Sequence, residues 1–258
     1  MNLARRATAE AVGTALLLTA VVGSGIMAER LAGGNVAIAL LANAIATGCA
    51  LVAIILTFGP ISGAHLNPAV TIADAWKRGV AWRDVLAYLF AQVVGALAGV
   101  AIADVMFGLP PFFASHHTRT GSALWVSEFV STFGLLAVIW GCARARPAAT
   151  PFAVAAYIVG AYWFTSSTSF ANPAVTIARS LSDTFAGIRP IDVVPFVLAQ
   201  LLGAGAATAL FDWLSPTSQV LAEAILLPHA PDTNDLDDHQ RTFVSATSSQ
   251  RRTSGNRR

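Results

Sequence analysis

Charge is scarce in this chain. Of its 258 residues only 12% are Asp, Glu, Lys or Arg, about half the share that a soluble domain carries. A surface that faces water on all sides is therefore excluded. The formal net charge is +2, which leaves no strongly basic face for a nucleic-acid partner. Cysteine is scarcer still. Cys49 and Cys142 are the two in the chain, and both fall inside apolar runs. They offer no disulfide framework and no metal-ligand spacing, and both read as small packing residues. No Ser/His/Asp, paired-carboxylate or metal constellation falls at a common depth, so neither an enzyme nor a cofactor is expected.

What is abundant is apolar sequence, 55% of the chain, with a mean hydropathy of +0.62. Runs at roughly 9–28, 36–58, 85–107, 122–142, 150–168 and 193–214 are each about long enough to cross the hydrocarbon core of a bilayer. They predict an all-α membrane protein with one channel-sized domain over 1–214, built as a repeat at about 1–110 and another at about 120–214. Arg5 and Arg6 precede a run that contains Glu10, which reads as a retained first span. Arg5, Arg6, Lys77, Arg78, Arg83, Arg144, Arg146 and the basic C-terminal end fall on one side of the spans. Arg30, Arg119, Arg179 and Arg189 fall on the other. That bias predicts cytoplasmic termini. The segment 215–258 is expected to be cytoplasmic, and disordered from about 228, where the sequence turns polar and loses the means to bury a core.

The heptapeptide Asn-Pro-Ala-Val-Thr-Ile-Ala occurs twice, at 67–73 and 172–178. The copies extend further. Glu10 opens the first span as Glu128 opens the fourth, and Gln92 lies in the third span as Gln200 lies in the sixth. Each half holds an odd number of spans, so the second copy enters the membrane from the opposite face. This is an inverted repeat. Asn as N-cap and Pro as first helical residue start a helix at each copy. After Asn67 the helical pattern reaches only to about Arg78 before Gly79, roughly 16 Å at 1.5 Å per residue. Such a helix cannot cross alone. Two of them, entering from opposite faces, predict a broken seventh span of re-entrant half-helices. The non-helical approaches are placed at 59–66 and 166–171. Irregular backbone at that depth is tolerated where it is buried in protein or lines a wet cavity.

Two Asn-Pro-Ala motifs in six spans, with Glu in spans one and four, resemble the aquaporin and glycerol-facilitator family, the major intrinsic proteins. The resemblance covers about 5–214 and implies an aquaporin-like bundle of six transmembrane helices plus two re-entrant half-helices. It also implies a homotetramer in which each subunit conducts separately. On the family pattern Asn67, Pro68, Ala69, Asn172, Pro173 and Ala174 form the pore centre. Carbonyls of Gly63, Ala64 and His65 on one side, and of Ser169, Phe170 and Ala171 on the other, accept hydrogen bonds from the solute. Two helix N-termini pointing at the midplane repel cations and protons. A neutral hydroxylated solute then exchanges its water partners for these groups. Glu10 and Glu128, read as the acids well inside spans, and His65 are assigned to holding the re-entrant loops.

One position departs from the pattern. Most relatives carry an Arg three past the second Asn, at the outer constriction. Here it is Val175. Arg179, one turn further along, reads first as a cation at a helix C-terminus, with reach into the outer vestibule as the second reading. Counting back from Asn67 puts Thr47 at the constriction, where water channels carry an aromatic. The span-five position is either Tyr162 or Gly160, and the loop position either Ser169 or Phe170. A small Thr47 and an uncharged Val175 suggest a wider, less polar constriction. The segment 161–180 is similar to bacterial aquaglyceroporins encoded with arsenic-resistance genes, which also have Val at this position. That resemblance implies a bacterial inner membrane and passage of arsenite as As(OH)3, methylated arsenicals, glycerol or urea, with some water. A mainly water-conducting channel stands as the alternative, and a coupled transporter is the reading from another class.

Overall fold

The computed structural model describes residues 1–214, so the reading of 215–258 falls outside the described residues. Among the described residues eight α-helices form, in two sets of four. The first set is α1 (Leu3–Leu31), α2 (Val36–Ser62), α3 (Pro68–Trp76) and α4 (Trp82–Met106). The second is α5 (Ser122–Ala145), α6 (Thr150–Phe164), α7 (Pro173–Arg179) and α8 (Val193–Leu214). Within each set the first helix packs along the last, α1 on α4 and α5 on α8, and α2 packs against α6 across the two halves. The side on which α1 begins is called here the near side, and the other the far side.

Why these helices pack so closely is visible at their glycines. A Cβ on Gly95 of α4 would collide with the Ala11 carbonyl oxygen of α1, and one on Gly203 of α8 with the Phe129 carbonyl oxygen of α5. The two glycines hold matching places in the two repeats, and each lets a pair of helix backbones touch. The outside of the bundle is apolar. Leu86, Phe90, Leu198, Leu202 and Trp213 are among the exposed large side chains, a surface suited to hydrocarbon and unsuited to water. Among the described residues, five helices are long and apolar enough to span a membrane. The other long element, α6, has 15 residues.

Four expectations need correction here. The fifth run ends at Phe164 rather than 168, because the chain turns non-helical from Thr165, ahead of the polar run Ser166, Ser167 and Thr168. The first approach is shorter than 59–66: α2 continues through Pro60 to Ser62, and Gly63, at φ 87°, caps it. The half-helices are also shorter than the sequence suggests, 9 residues for α3 and 7 for α7. Cys49 is exposed on the outside of α2 and Cys142 half-buried, so neither is a core packing residue of the protomer.

Candidate functional site

Each half-helix is started by its own asparagine. Asn67 Oδ1 accepts from Ala69 N at 2.9 Å, and Asn172 Oδ1 accepts from Ala174 N at 3.0 Å and Val175 N at 3.3 Å. Using the oxygen as a cap fixes which way the amide faces. The nitrogens then cross between halves: Asn67 Nδ2 donates to the Ala171 carbonyl at 2.8 Å, and Asn172 Nδ2 to the Leu66 carbonyl at 2.7 Å. These reciprocal bonds join α3 and α7 at their N-termini. One hydrogen of each NH2 is used in this way, and the second is left over.

The approaches to the two asparagines share one unusual backbone. Gly63, Ala64 and Leu66 have φ of 87°, 46° and 51°; Thr168, Ser169 and Ala171 have 63°, 52° and 49°. Left-handed backbone at a non-glycine residue costs about 1–2 kcal/mol. Something must hold it, and in each half a buried carboxylate does. Glu10 accepts from His65 N at 3.0 Å, Leu66 N at 2.6 Å, Ser62 Oγ at 2.6 Å and Gln92 Nε2 at 2.8 Å. Glu128 accepts from Phe170 N at 2.9 Å, Ala171 N at 2.9 Å and Gln200 Nε2 at 2.6 Å. Successive N–H groups converging on an anion form a nest, and their carbonyls are turned the other way. Gln92 and Gln200 each make a second bond of 2.8 Å, to Thr71 and Thr176, whose hydroxyls donate to the Asn67 and Asn172 carbonyls. His65 Nδ1 lies 3.1 Å from the same Thr71 hydroxyl.

Between the halves lies a cavity of about 70 Å³. At about 15 Å³ per water it has room for a short file of solvent-sized molecules. One wall is apolar and drawn from four helices: Leu17 and Val21 of α1, Leu51 and Ile55 of α2, Leu135 and Ile139 of α5, Val154 and Ile158 of α6. The other wall is the strained backbone, Ala64, His65 and Leu66 from one side and Ser169, Phe170 and Ala171 from the other, with Asn67 and Asn172 between them. Gly63 is absent from this lining, since its backbone is spent on ending α2. Towards the far side the cavity meets Thr47, Tyr162 and Val175. The Thr47 and Tyr162 hydroxyls are 3.3 Å apart. Gly160 does not line it. Residues 158 and 162 are four apart and share a helix face, and residue 160 points away from both. Ser169 and Phe170 both line the cavity, although the Ser169 hydroxyl is engaged by Ser131 Oγ at 2.5 Å.

Two arginines belong with the site: Arg179, whose second reading holds, and Arg119, which the sequence reading missed. Arg179 is buried, 3% exposed, and lines the cavity beside Val175. Its guanidinium carbon sits 3.4 Å from the centre of the Phe170 ring, and its Nε donates to the Ala186 carbonyl. It is therefore packed across the mouth rather than resting on the end of its helix. The signal was present in the sequence: Arg179 lies four residues past Val175, on the same helix face. Arg119 approaches the same ring at 4.9 Å and is held by the Gly187 carbonyl at 2.7 Å and the Ser167 carbonyl at 3.1 Å. Burial lowers the Arg119 pKa, against the pull of Glu128 and Tyr162. No sequence signal reports it, because it reaches the site from a loop about 50 residues away. Glu10 and Glu128 are also not the only buried acids. Asp104 of α4 is fully buried and accepts from Ser182 Oγ at 2.9 Å, and Asp74 of α3 lies 3.5 Å from His65 Nε2. In the far-side loops Asp183 accepts from His116 N at 2.8 Å and pairs with its ring at 2.9 Å. Those two bonds hold its carboxyl below the ordinary aspartate range.

A model of the major intrinsic protein family matches residues 1–170. Aquaglyceroporin AqpS of Rhizobium meliloti is 54% identical over 213 residues, covering 83% of this chain and 91% of that protein. A probable aquaporin, AqpM of Archaeoglobus fulgidus, is 34% identical over 243 residues, covering 83% of this chain and 98% of its own length. Among solved structures, the aquaglyceroporin from Plasmodium falciparum superimposes with a TM-score of 0.65 over 85% of this chain and 100% of that one. At 20% identity the last likeness speaks for the fold alone.

Proposed function

Because the chain belongs to the major intrinsic protein family, we propose that it is a passive channel for small neutral solutes, with some permeation of water. The observation that carries this reading is the two-faced cavity. One wall is hydrocarbon. The other is a file of backbone groups aligned by Glu10 and Glu128, with two asparagine N–H groups at its centre. A neutral solute with hydroxyl or amide groups replaces its lost water bonds along one wall and slides on the other. An ion gains too little from so few partners to shed its hydration. A constriction made of Thr47, Tyr162 and Val175 admits solutes broader than water. Glycerol, urea and arsenite as As(OH)3 fit that chemistry, and methylated arsenicals gain further from the apolar wall. We assign Asn67, Pro68, Ala69, Asn172, Pro173 and Ala174 to the pore centre, and Glu10, Glu128 and His65 to loop support. The working unit is a homotetramer in a bacterial inner membrane, with the near side cytoplasmic.

The test is a swelling panel in proteoliposomes with water, glycerol, urea and arsenite. The expected result is solute flux well above that of empty liposomes for glycerol and arsenite, without any ion requirement. Flux equal to the empty control would end the channel reading. Fast water flux with no solute flux would favour the water-conducting alternative.

A further inference from the structure

The two heptapeptides are identical, yet the next residue differs: Asp74 follows the first and Arg179 the second. In each half this residue turns back to the approach loop. Asp74 faces His65 near the near side, and Arg179 covers Phe170 near the far side. His65 and Phe170 are themselves matching positions of the repeat, each two residues before the motif's Asn, so the repeat has diverged at one pair of facing positions. At the far side that pair is a buried cation stacked on a ring, with Val175 one helical turn below it.

We propose that Arg179 is the charge-selecting residue of this pore, and that charge selection and size selection are separated by one helical turn. Val175, with Thr47 and Tyr162, sets the width. Arg179 sets the sign of what enters. The proposal rests on the channel reading given above. Its physical basis is threefold. Arg179 Nε is committed to the Ala186 carbonyl, while no other hydrogen bond of its guanidinium is found among the described residues. The two terminal nitrogens of a residue that lines the cavity thus keep their donors for a solute. The group is also fixed. Phe170 carries it on one face and is itself packed edge-on to Phe196 at 5.4 Å. Finally, Arg119 adds a second guanidinium at the same ring, 4.9 Å from its centre, so a second positive charge lies close to the mouth. A fixed like charge in a narrow low-dielectric mouth lowers entry of a cation by about tenfold or more.

The experiment compares wild type with Arg179→Met, Arg179→Lys and Val175→Ala in proteoliposomes, reading glycerol flux and methylammonium flux in the same vesicles. Arg179→Met should raise the ratio of methylammonium flux to glycerol flux by about tenfold. Arg179→Lys keeps the charge and should keep the exclusion. Val175→Ala should raise glycerol flux and leave methylammonium excluded. Methylammonium still excluded in an Arg179→Met channel that passes glycerol would overturn the assignment while leaving the channel reading intact. Should Arg179→Met fail to assemble, Arg179→Lys and Val175→Ala decide: a cation leak in Val175→Ala, or in a glycerol-conducting Arg179→Lys, would overturn it. A wild-type chain that passes no glycerol would overturn both readings together.

Discussion

At the scale of single residues, the site depends on two carboxylates that do not line the cavity. Every polar group aimed at Glu10 and Glu128 is a donor, two of them backbone N–H groups in each case. A carboxylate accepts from all of them; a glutamine amide presents an NH2 to at least one. Glu10→Gln or Glu128→Gln should therefore destabilise the fold by about 1–3 kcal/mol, the cost of leaving a buried donor unpaired. Heating detergent-solubilised protein and following loss of the monodisperse species measures this, and unchanged stability would show that the loops hold themselves. Val175 is the second residue to probe. With Arg179 already one turn above, Val175→Arg should cut glycerol flux by about tenfold through narrowing alone, with water flux less affected and cation exclusion unchanged. Glycerol flux at the wild-type level would remove the argument for a wide constriction. Neither glutamate's partners nor Arg119's reach could be read from neighbours in sequence, since each bond joins distant segments. Val175 was legible because the repeated motif gives its register.

At the scale of elements, the half-helices work because the long helices around them are pressed together. Gly95 and Gly203 sit where α4 meets the α1 backbone and α8 meets the α5 backbone. The obstacle in both cases is a carbonyl oxygen of a helix, which cannot rotate aside as a side chain can. Gly95→Val or Gly203→Val should therefore cost at least the roughly 1–3 kcal/mol typical of overpacking and lower the midpoint of thermal unfolding. Gly205, where an added Cβ meets nothing within 4 Å, is the control, and Gly205→Ala should be close to neutral. Gly95, Gly203 and Gly205 all lie alike within apolar helical runs of the sequence. Spacing alone did not separate a glycine at a backbone contact from one in open space. Element ends were also less legible than element identity. The stop of α6 at Phe164 and the extension of α2 through Pro60 to Ser62 depend on where the loop backbone finds its partners.

At the scale of the whole molecule, the arrangement predicts transport without coupling. Glu10 and Glu128 are occupied in holding the backbone of their own halves, and a group so occupied has no second state to drive alternation. A protonophore or an imposed sodium gradient should leave glycerol flux unchanged in proteoliposomes, and a marked change would revive the coupled-transporter reading. The sequence by itself determined the inverted repeat, the membrane class and the two half-helix starts, because periodicity, apolar run length and the Asn-Pro start are local properties of the chain. Only the tertiary structure decided which side chains meet in the cavity, Tyr162 rather than Gly160 and Arg179 turned across Phe170, and that Arg119 reaches the same ring from a loop. Those placements follow from helix rotation and from the strained loop backbone, and both are fixed by contacts between the two halves of the repeat.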